Sequence, residues 1–282
     1  MQRLKRLLAV LTILAGTAAA AHLITDSRRP APAAAPPAPA TGYHSDGLSD
    51  SYDGFRAEPL ALPAQRGRGI VSLRIVGPQG PVTDFQRVHL KPVHMYLLRD
   101  DLAGYQHLHP EPADGAWTAP VTITDGGAYR VYAEFVPLGR PPGADPTVLG
   151  VPFVIAGDTT MIPVPAPAAT ARSGPFTVRR LDGTADLASG SQAALQFQVT
   201  RSGRPVTLEP YLGAYAHLSN FEVRTQGLMH LHPLPTGAAG GPPADATLAF
   251  HAAFAERGDK RLFLQFQVDG VVHQAAFTIF AT

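Results

Sequence analysis

One pattern occurs twice in this chain, and it limits what the chain can fold into more than any other feature. His94 is followed 13 residues later by His107 and then Leu108, His109 and Pro110, while His217 is followed 13 residues later by His230 and then Leu231, His232 and Pro233. Both copies read H-x12-H-L-H-P, 123 residues apart. Their flanks agree as well. Upstream, VSLRIV (71–76) and ALQFQV (194–199) alternate apolar and polar as half-buried strands do, and each leads through a Gly-containing turn to Pro-Val-Thr at 81–83 and 205–207. Downstream, GGAYRVYAEF ending at Phe135 matches ERGDKRLFLQF ending at Phe266, and VPFVI near Ile155 matches AAFTI near Ile279. The repeating unit is thus a domain of roughly 90 to 105 residues, within the usual range.

Strands of 5 to 8 residues recur between turn signals, and no segment sustains a 3.6-residue period. That spacing predicts an all-β chain of two tandem immunoglobulin-like antiparallel β-sandwich domains, at 65–157 and 175–282. Composition agrees: 27 Gly and 28 Pro with only 16% charged residues exclude a long-helix or coiled-coil protein. Between the copies, residues 158–174, containing TTMIPVPAPAATARSG, read as a Pro/Ala-rich linker, which predicts two modules on a string.

The N-terminus has the three parts of a secretory signal. Basic QRLKR (2–6) precedes the apolar run Leu7 to Ala15 and the small-residue run Gly16 to Ala21, so 1–21 is expected to be a signal peptide or signal anchor. An extracytoplasmic protein follows, secreted or held by its N-terminus, with membrane contact only through that segment. Residues 22–64 form a tether and lead-in. RRPAPAAAPPAPAT (28–41) is an extended Pro/Ala spacer. GYHSDGLSDSYDGF (42–55) is a polar lead-in whose Tyr43, Tyr52 and Phe55 offer ways to wrap onto a domain and whose His44 and aspartates offer ligands. Cleavage after Ala21 removes Arg3, Lys5 and Arg6 from a chain of 23 basic and 22 acidic residues, leaving a small acidic excess and no basic field for nucleic acid.

The chain has no cysteine. Disulfides, thiol catalysis, Fe–S clusters and Cys-ligated zinc are excluded together, and any metal must be held by His, Met, Asp or Glu. Residues i and i+2 of a strand share a face, so His107 and His109 project together, as do His230 and His232. With four-residue hairpin loops at 101–104 and 224–227, each closed by a left-handed glycine, His109 is expected opposite Tyr96 and His232 opposite Ser219. Parity then puts His94 and His217 on the same faces as their partners. Three neutral imidazoles without a thiolate suit Cu(II), Zn(II) or Ni(II), with copper, or else zinc, favoured by the Irving–Williams order and an extracytoplasmic setting. Candidate metal ligands are therefore His94, His107, His109, His217, His230 and His232, with Met95, Met229, Glu134, His89, His251 and His273 as possible additions. The bland reading is that each histidine bonds a backbone carbonyl and braces its hairpin.

Nothing here reads as an enzyme: GxSxG, P-loop, Rossmann and HExxH motifs are missing from the sequence. Asp100-Asp101 reads as turn chemistry with both carboxylates in solvent. Trp117 is expected in the first core, with Leu248 as its counterpart.

The stretches KPVHMYLLRDDLAGYQHLHP (91–110) and YLGAYAHLSNFEVRTQGLMHLHP (211–233) resemble a group of secreted or membrane-anchored, two-domain, His-rich proteins of high-GC bacteria. More distantly the chain is similar in size and His usage to exported β-sandwich domains of the YtkA-like and CopC-like kinds. The resemblance implies an exported module for buffering or delivering metal, copper above all, at the six histidines named. The rival expectation is an Ig-like module that docks a protein or cell-envelope partner, its histidines only structural.

Overall fold

The computed structural model describes residues 45–234, 241–243 and 245–282, with His230 and His232 described by their backbone. The expected signal segment, the spacer 28–41 and His44 lie outside these residues. The first repeat consists of β1 (Ser51–Tyr52), β2 (Phe55–Ala61), β3 (Gly67–Gly77), β4 (Gly80–Pro81), β5 (His94–Arg99), β6 (Gln106–Leu108), β7 (Glu111–Ala113), β8 (Ala116–Ile123), β9 (Gly127–Phe135) and β10 (Thr147–Ile155). The second consists of β11 (Thr170–Ser173), β12 (Phe176–Arg180), β13 (Gln192–Arg201), β14 (Arg204–Pro205), β15 (Ala216–Glu222), β16 (Leu228–His230), β17 (His232–Pro233), β18 (Thr247–Ala253), β19 (Gly258–Val268) and β20 (Val271–Ala281).

Each repeat is an immunoglobulin-like sandwich of two antiparallel sheets, and the two match strand for strand. The first has sheets β1-β2-β3-β8-β7, with β4 on β3, and β10-β9-β5-β6; the second has β11-β12-β13-β18-β17, with β14 on β13, and β20-β19-β15-β16. The all-β expectation holds, because period-2 segments bury one face. In β3, Val71, Leu73 and Ile75 point into the first core while the residues between them face outward. They meet Met95, Leu97, Val131, Ala133 and Leu149 from the facing sheet. Trp117, 1% exposed, lies in this core opposite Leu73, and Leu248 holds the matching place opposite Phe197 in the second core.

Three expectations need correction. The first sandwich begins at Ser51 rather than 65: β1 pairs with β2 and β2 with β3, and Phe55 packs edge-on against Phe135 at 5.5 Å. The Pro59 that disguised this strand sits at a register shift between Pro59 and Ala61, where a ladder tolerates proline. The segment 158–174 already contains β11, which joins the second sandwich's larger sheet. Its start is tied to the first repeat, since Ile162 N donates to Asp101 Oδ2 at 2.7 Å and Arg99 Nη2 donates to Thr160 O at 3.2 Å.

The third correction is that the repeats are not beads on a string. The described residues from Ser45 to Thr282 form a single unit. A third apolar cluster joins the β9-β5 face of one sandwich to the β15-β19 face of the other, with Tyr96, Leu98, Tyr105 and Tyr132 against Phe221, Leu228 and Phe263. Every residue of β5 (HMYLLR) is buried, Met95 and Leu97 in the first core and Tyr96 and Leu98 in the interface. An unbroken apolar run is the signature of a strand covered on both sides, and MYLL carried that signal. The lead-in also takes part, because Leu228 N donates to Asp46 O at 2.8 Å and Val148 N donates to Ser45 Oγ at 2.6 Å.

Candidate metal centre

His94 opens β5, and His107 and His109 flank the end of β6. The register pairs Tyr96 with His107 and Ser219 with His230, so the expected pairings of His109 with Tyr96 and of His232 with Ser219 are each off by two residues. The reason is in the turns. In the first hairpin Leu102 at φ 64° turns the chain, Arg99 N bonding Ala103 O, before Gly104 does so at φ 65°. In the second, Gln226 at φ 67° is the left-handed residue rather than Gly227. A slip of two residues keeps the side-chain parity that a slip of one would invert, so His94 and His107 still share a face.

The first triad converges. One ring nitrogen from each of His94, His107 and His109 lies within 4.8 Å of the others. His94 Nδ1 is 3.0 Å from His107 Nε2, and the three ring centroids are 4.7 to 5.2 Å apart. His94 Nε2 donates to Val88 O at 2.9 Å, which orients the ring as a backbone carbonyl does behind a metal-bound imidazole. The same bond recurs in the second repeat, where His217 Nε2 donates to Tyr211 O at 2.8 Å. These carbonyls belong to matching turns, closed by Lys91 N to Val88 O and by Ala214 N to Tyr211 O. Both central residues are left-handed in each: His89 and Leu90 in the first, Leu212 and Gly213 in the second. Only one of these four is glycine, so the first turn holds two non-glycine residues where a side chain strains the backbone.

The remaining contacts of the triad come from both repeats. His107 stacks on Tyr96, with centroids 4.6 Å apart, and its Nδ1 lies 2.8 Å from Gln265 Oε1 of β19. His109 Nε2 is buried without a hydrogen-bond partner. Burial, then the neighbouring His94 and His109, keeps the His107 pKa well below the ordinary histidine value. Burial, then His94 and Lys91, pushes His109 down to about 3. Both rings are therefore neutral at pH 7, the state that binds metal.

A water-sized cavity adjoins the triad between the sandwiches, lined by His89, His94, Tyr96, His107, Glu134 and His217 among others. His89 brings its ring edge-on to His217 at 4.7 Å, and Glu134, 2% exposed, is the cross-strand neighbour of His94. Met229 borders the cavity too. Two of the other possible ligands, Met95 and His273, are used elsewhere. Met95 is in the first core, and His273 packs on Phe176 and Phe266. His251 pairs through its backbone with His232. The contributions of Gln265 and His217 to the first triad were not visible in sequence, because they cross from the other repeat.

Asp101 also departs from expectation. Instead of facing solvent it is buried, paired bidentately with Arg99 and accepting from Ala103 N and Ile162 N. Burial opposes its ionisation, but these bonds outweigh that and hold its carboxyl below the usual range.

The model of the domain of unknown function DUF8832 matches residues 55–148 and 172–282, most of the chain and one region per repeat. The chain belongs to the DUF8832 family. Both DUF8832 regions carry the H-x12-H-L-H-P pattern. No curated protein matches the chain. Solved structures similar to this DUF8832 chain include invasin, a bacterial integrin-binding protein, at 14% identity and TM-score 0.25 over 81% of this chain and 39% of that one. Domains 4 and 5 of the S-layer protein SbsC match at 8% identity and TM-score 0.25 over 81% of this chain and 97% of that one. The ICAM-5 D1–D4 ectodomain fragment matches at 18% identity and TM-score 0.23 over 80% of this chain and 53% of that one. The chain thus spans well under half of the invasin chain. None of these matches supports the resemblance to CopC-like copper-binding domains.

Proposed function

We propose that this protein is an extracytoplasmic, non-enzymatic binding protein in which His94, His107 and His109 hold a divalent transition metal, copper or zinc, for buffering or delivery. The observation that carries this reading is the convergence of three imidazoles, each with a ring nitrogen within 4.8 Å of the others, at a place where His109 Nε2 is buried with no hydrogen-bond partner. A buried polar atom left unbonded costs about 1 to 3 kcal/mol, and a metal ion is a partner that all three nitrogens can share. The donor set of neutral nitrogens without thiolate suits Cu(II) or Zn(II). We assign the same role in the second repeat to His217, His230 and His232. The extracytoplasmic setting rests on the N-terminal sequence pattern.

A second reading has its own support. The chain of contacts Val88 O, His94, His107 and Gln265 crosses from one repeat to the other and can brace the sandwiches for docking a protein or cell-envelope partner, with no ion involved. Calorimetric titration of the full-length chain with Cu(II) and Zn(II), beside a folded variant with His107 and His109 changed to Ala, separates the two. Tight binding that the variant loses is expected. Equal, weak heats from both proteins would leave the bracing role.

A further inference from the structure

Gln265 lies on β19 of the second repeat, where it pairs with His217, and its amide oxygen meets His107 Nδ1 of the first repeat. An amide oxygen only accepts, so His107 Nδ1 carries the hydrogen and Nε2 presents a lone pair. His94 has the opposite tautomer, because its Nε2 hydrogen goes to Val88 O and its Nδ1 is left with a lone pair. These two lone pairs face each other at 3.0 Å. Two acceptors at that distance repel unless a cation engages both. Metal–nitrogen bonds of about 2.0 to 2.1 Å at tetrahedral or square angles set two ligand nitrogens about 2.9 to 3.4 Å apart, which is the spacing seen.

We propose that Gln265 is a positioning residue through which the second repeat sets His107 as a metal ligand, so that the first-repeat centre is an inter-repeat centre and metal binding is linked to the docking of the two sandwiches. This rests on the reading that the triad holds metal. His217 and His89 support the shared character of the site: His217 comes within 6.2 Å of His107, centroid to centroid, and His89 reaches across to His217. The consequence is thermodynamic. An ion that binds only the docked arrangement stabilises that arrangement by its own binding free energy, so metal tightens the pair of repeats.

The bracing alternative differs in one atom. With the amide turned over, Gln265 Nε2 donates to His107 Nδ1 and His107 Nε2 donates to His94 Nδ1, so both His107 contacts are satisfied without a cation, although His109 Nε2 stays unbonded. Gln265→Glu separates the two cases, because a carboxylate cannot donate and enforces the metal-ready tautomer. The test is Cu(II) and Zn(II) titration of full-length wild type, Gln265→Ala and Gln265→Glu, with melting of each metal-free protein and the Cu(II) electron paramagnetic resonance spectrum of each complex. Removing a group that orients a ligand is expected to weaken affinity about 10- to 100-fold in Gln265→Ala and to change the Cu(II) spectrum, while Gln265→Glu binds at least as tightly as wild type. Gln265→Met, which keeps the volume, carries the same comparison in place of an alanine variant that does not fold. Equal affinities across all variants, with only the metal-free melting temperature lowered, would overturn the proposal and leave the triad reading standing. A wild type that binds neither ion would overturn both.

Discussion

Tyr105 of the first repeat and Phe263 of the second lie face to face, with ring centroids 4.0 Å apart and planes 3° from parallel. The Tyr105 hydroxyl extends the contact to Ser219 Oγ at 2.8 Å, so one side chain supplies both apolar and polar adhesion between the sandwiches. Phe263→Ala is expected to cost about 3 to 5 kcal/mol, as for other buried aromatics. It should also split a single urea transition into two, because the repeats lose the cluster that makes them unfold together. A variant that still melts in one step within about 1 kcal/mol of wild type would show that the stack is incidental.

His109→Leu tests the metal reading from another side. The substitution removes a buried nitrogen with no partner, so the metal-free protein should be as stable as wild type or slightly more stable. Metal affinity should fall by at least about 100-fold, the upper end of what losing a mere orienting group costs. Paired melting and titration decide it, and loss of stability with unchanged affinity would count against His109 as a ligand.

The metal-free protein should weaken in mild acid. In the unfolded chain His107 and His109 titrate near 6.5, whereas folding depresses both and puts His109 at about 3. Between those limits the unfolded state binds more protons, so stability is complete above about pH 6.5 and is lost as pH falls below it. Urea midpoints between pH 7.5 and 5 should drop with an uptake of about one to two protons on unfolding. A variant with His107 and His109 changed to Gln should flatten that slope.

Asp101→Ala leaves the buried Arg99 without its partner and frees the amides of Ala103 and Ile162. Stranding one member of a buried ion pair costs about 3 to 5 kcal/mol. Chemical denaturation measures this directly, and the 158–162 segment should become cleavable by protease in the variant.

Much of this was legible in the amino-acid string. The alternation in VSLRIV and ALQFQV does mark strands with one face buried, and the repeated motif does coincide with two sandwiches of identical topology. The parity argument for His94 and His107 survived a register error because that error was even. Other features were hidden by local rules that tertiary structure overrode. Pro59 masked β2, and Asp101, adjacent to another aspartate in a turn, looked solvated but was drawn inward by Arg99.

The sequence by itself determined the elements: period-2 burial makes strands, turn residues separate them, and the duplication copies one sandwich into two. It did not determine which histidines share a face: His109 lies beyond the end of β6, His230 ends β16 while His232 opens β17 in the other sheet, and His94 meets His107 through the register of a hairpin. Tertiary structure alone decided that the two sandwiches pack together and that Gln265 meets His107. Those residues are 158 positions apart, and no local pattern encodes which of two outward faces will find the other. That choice is made by the shape and apolar area of whole sheets, which exist only once the strands have paired.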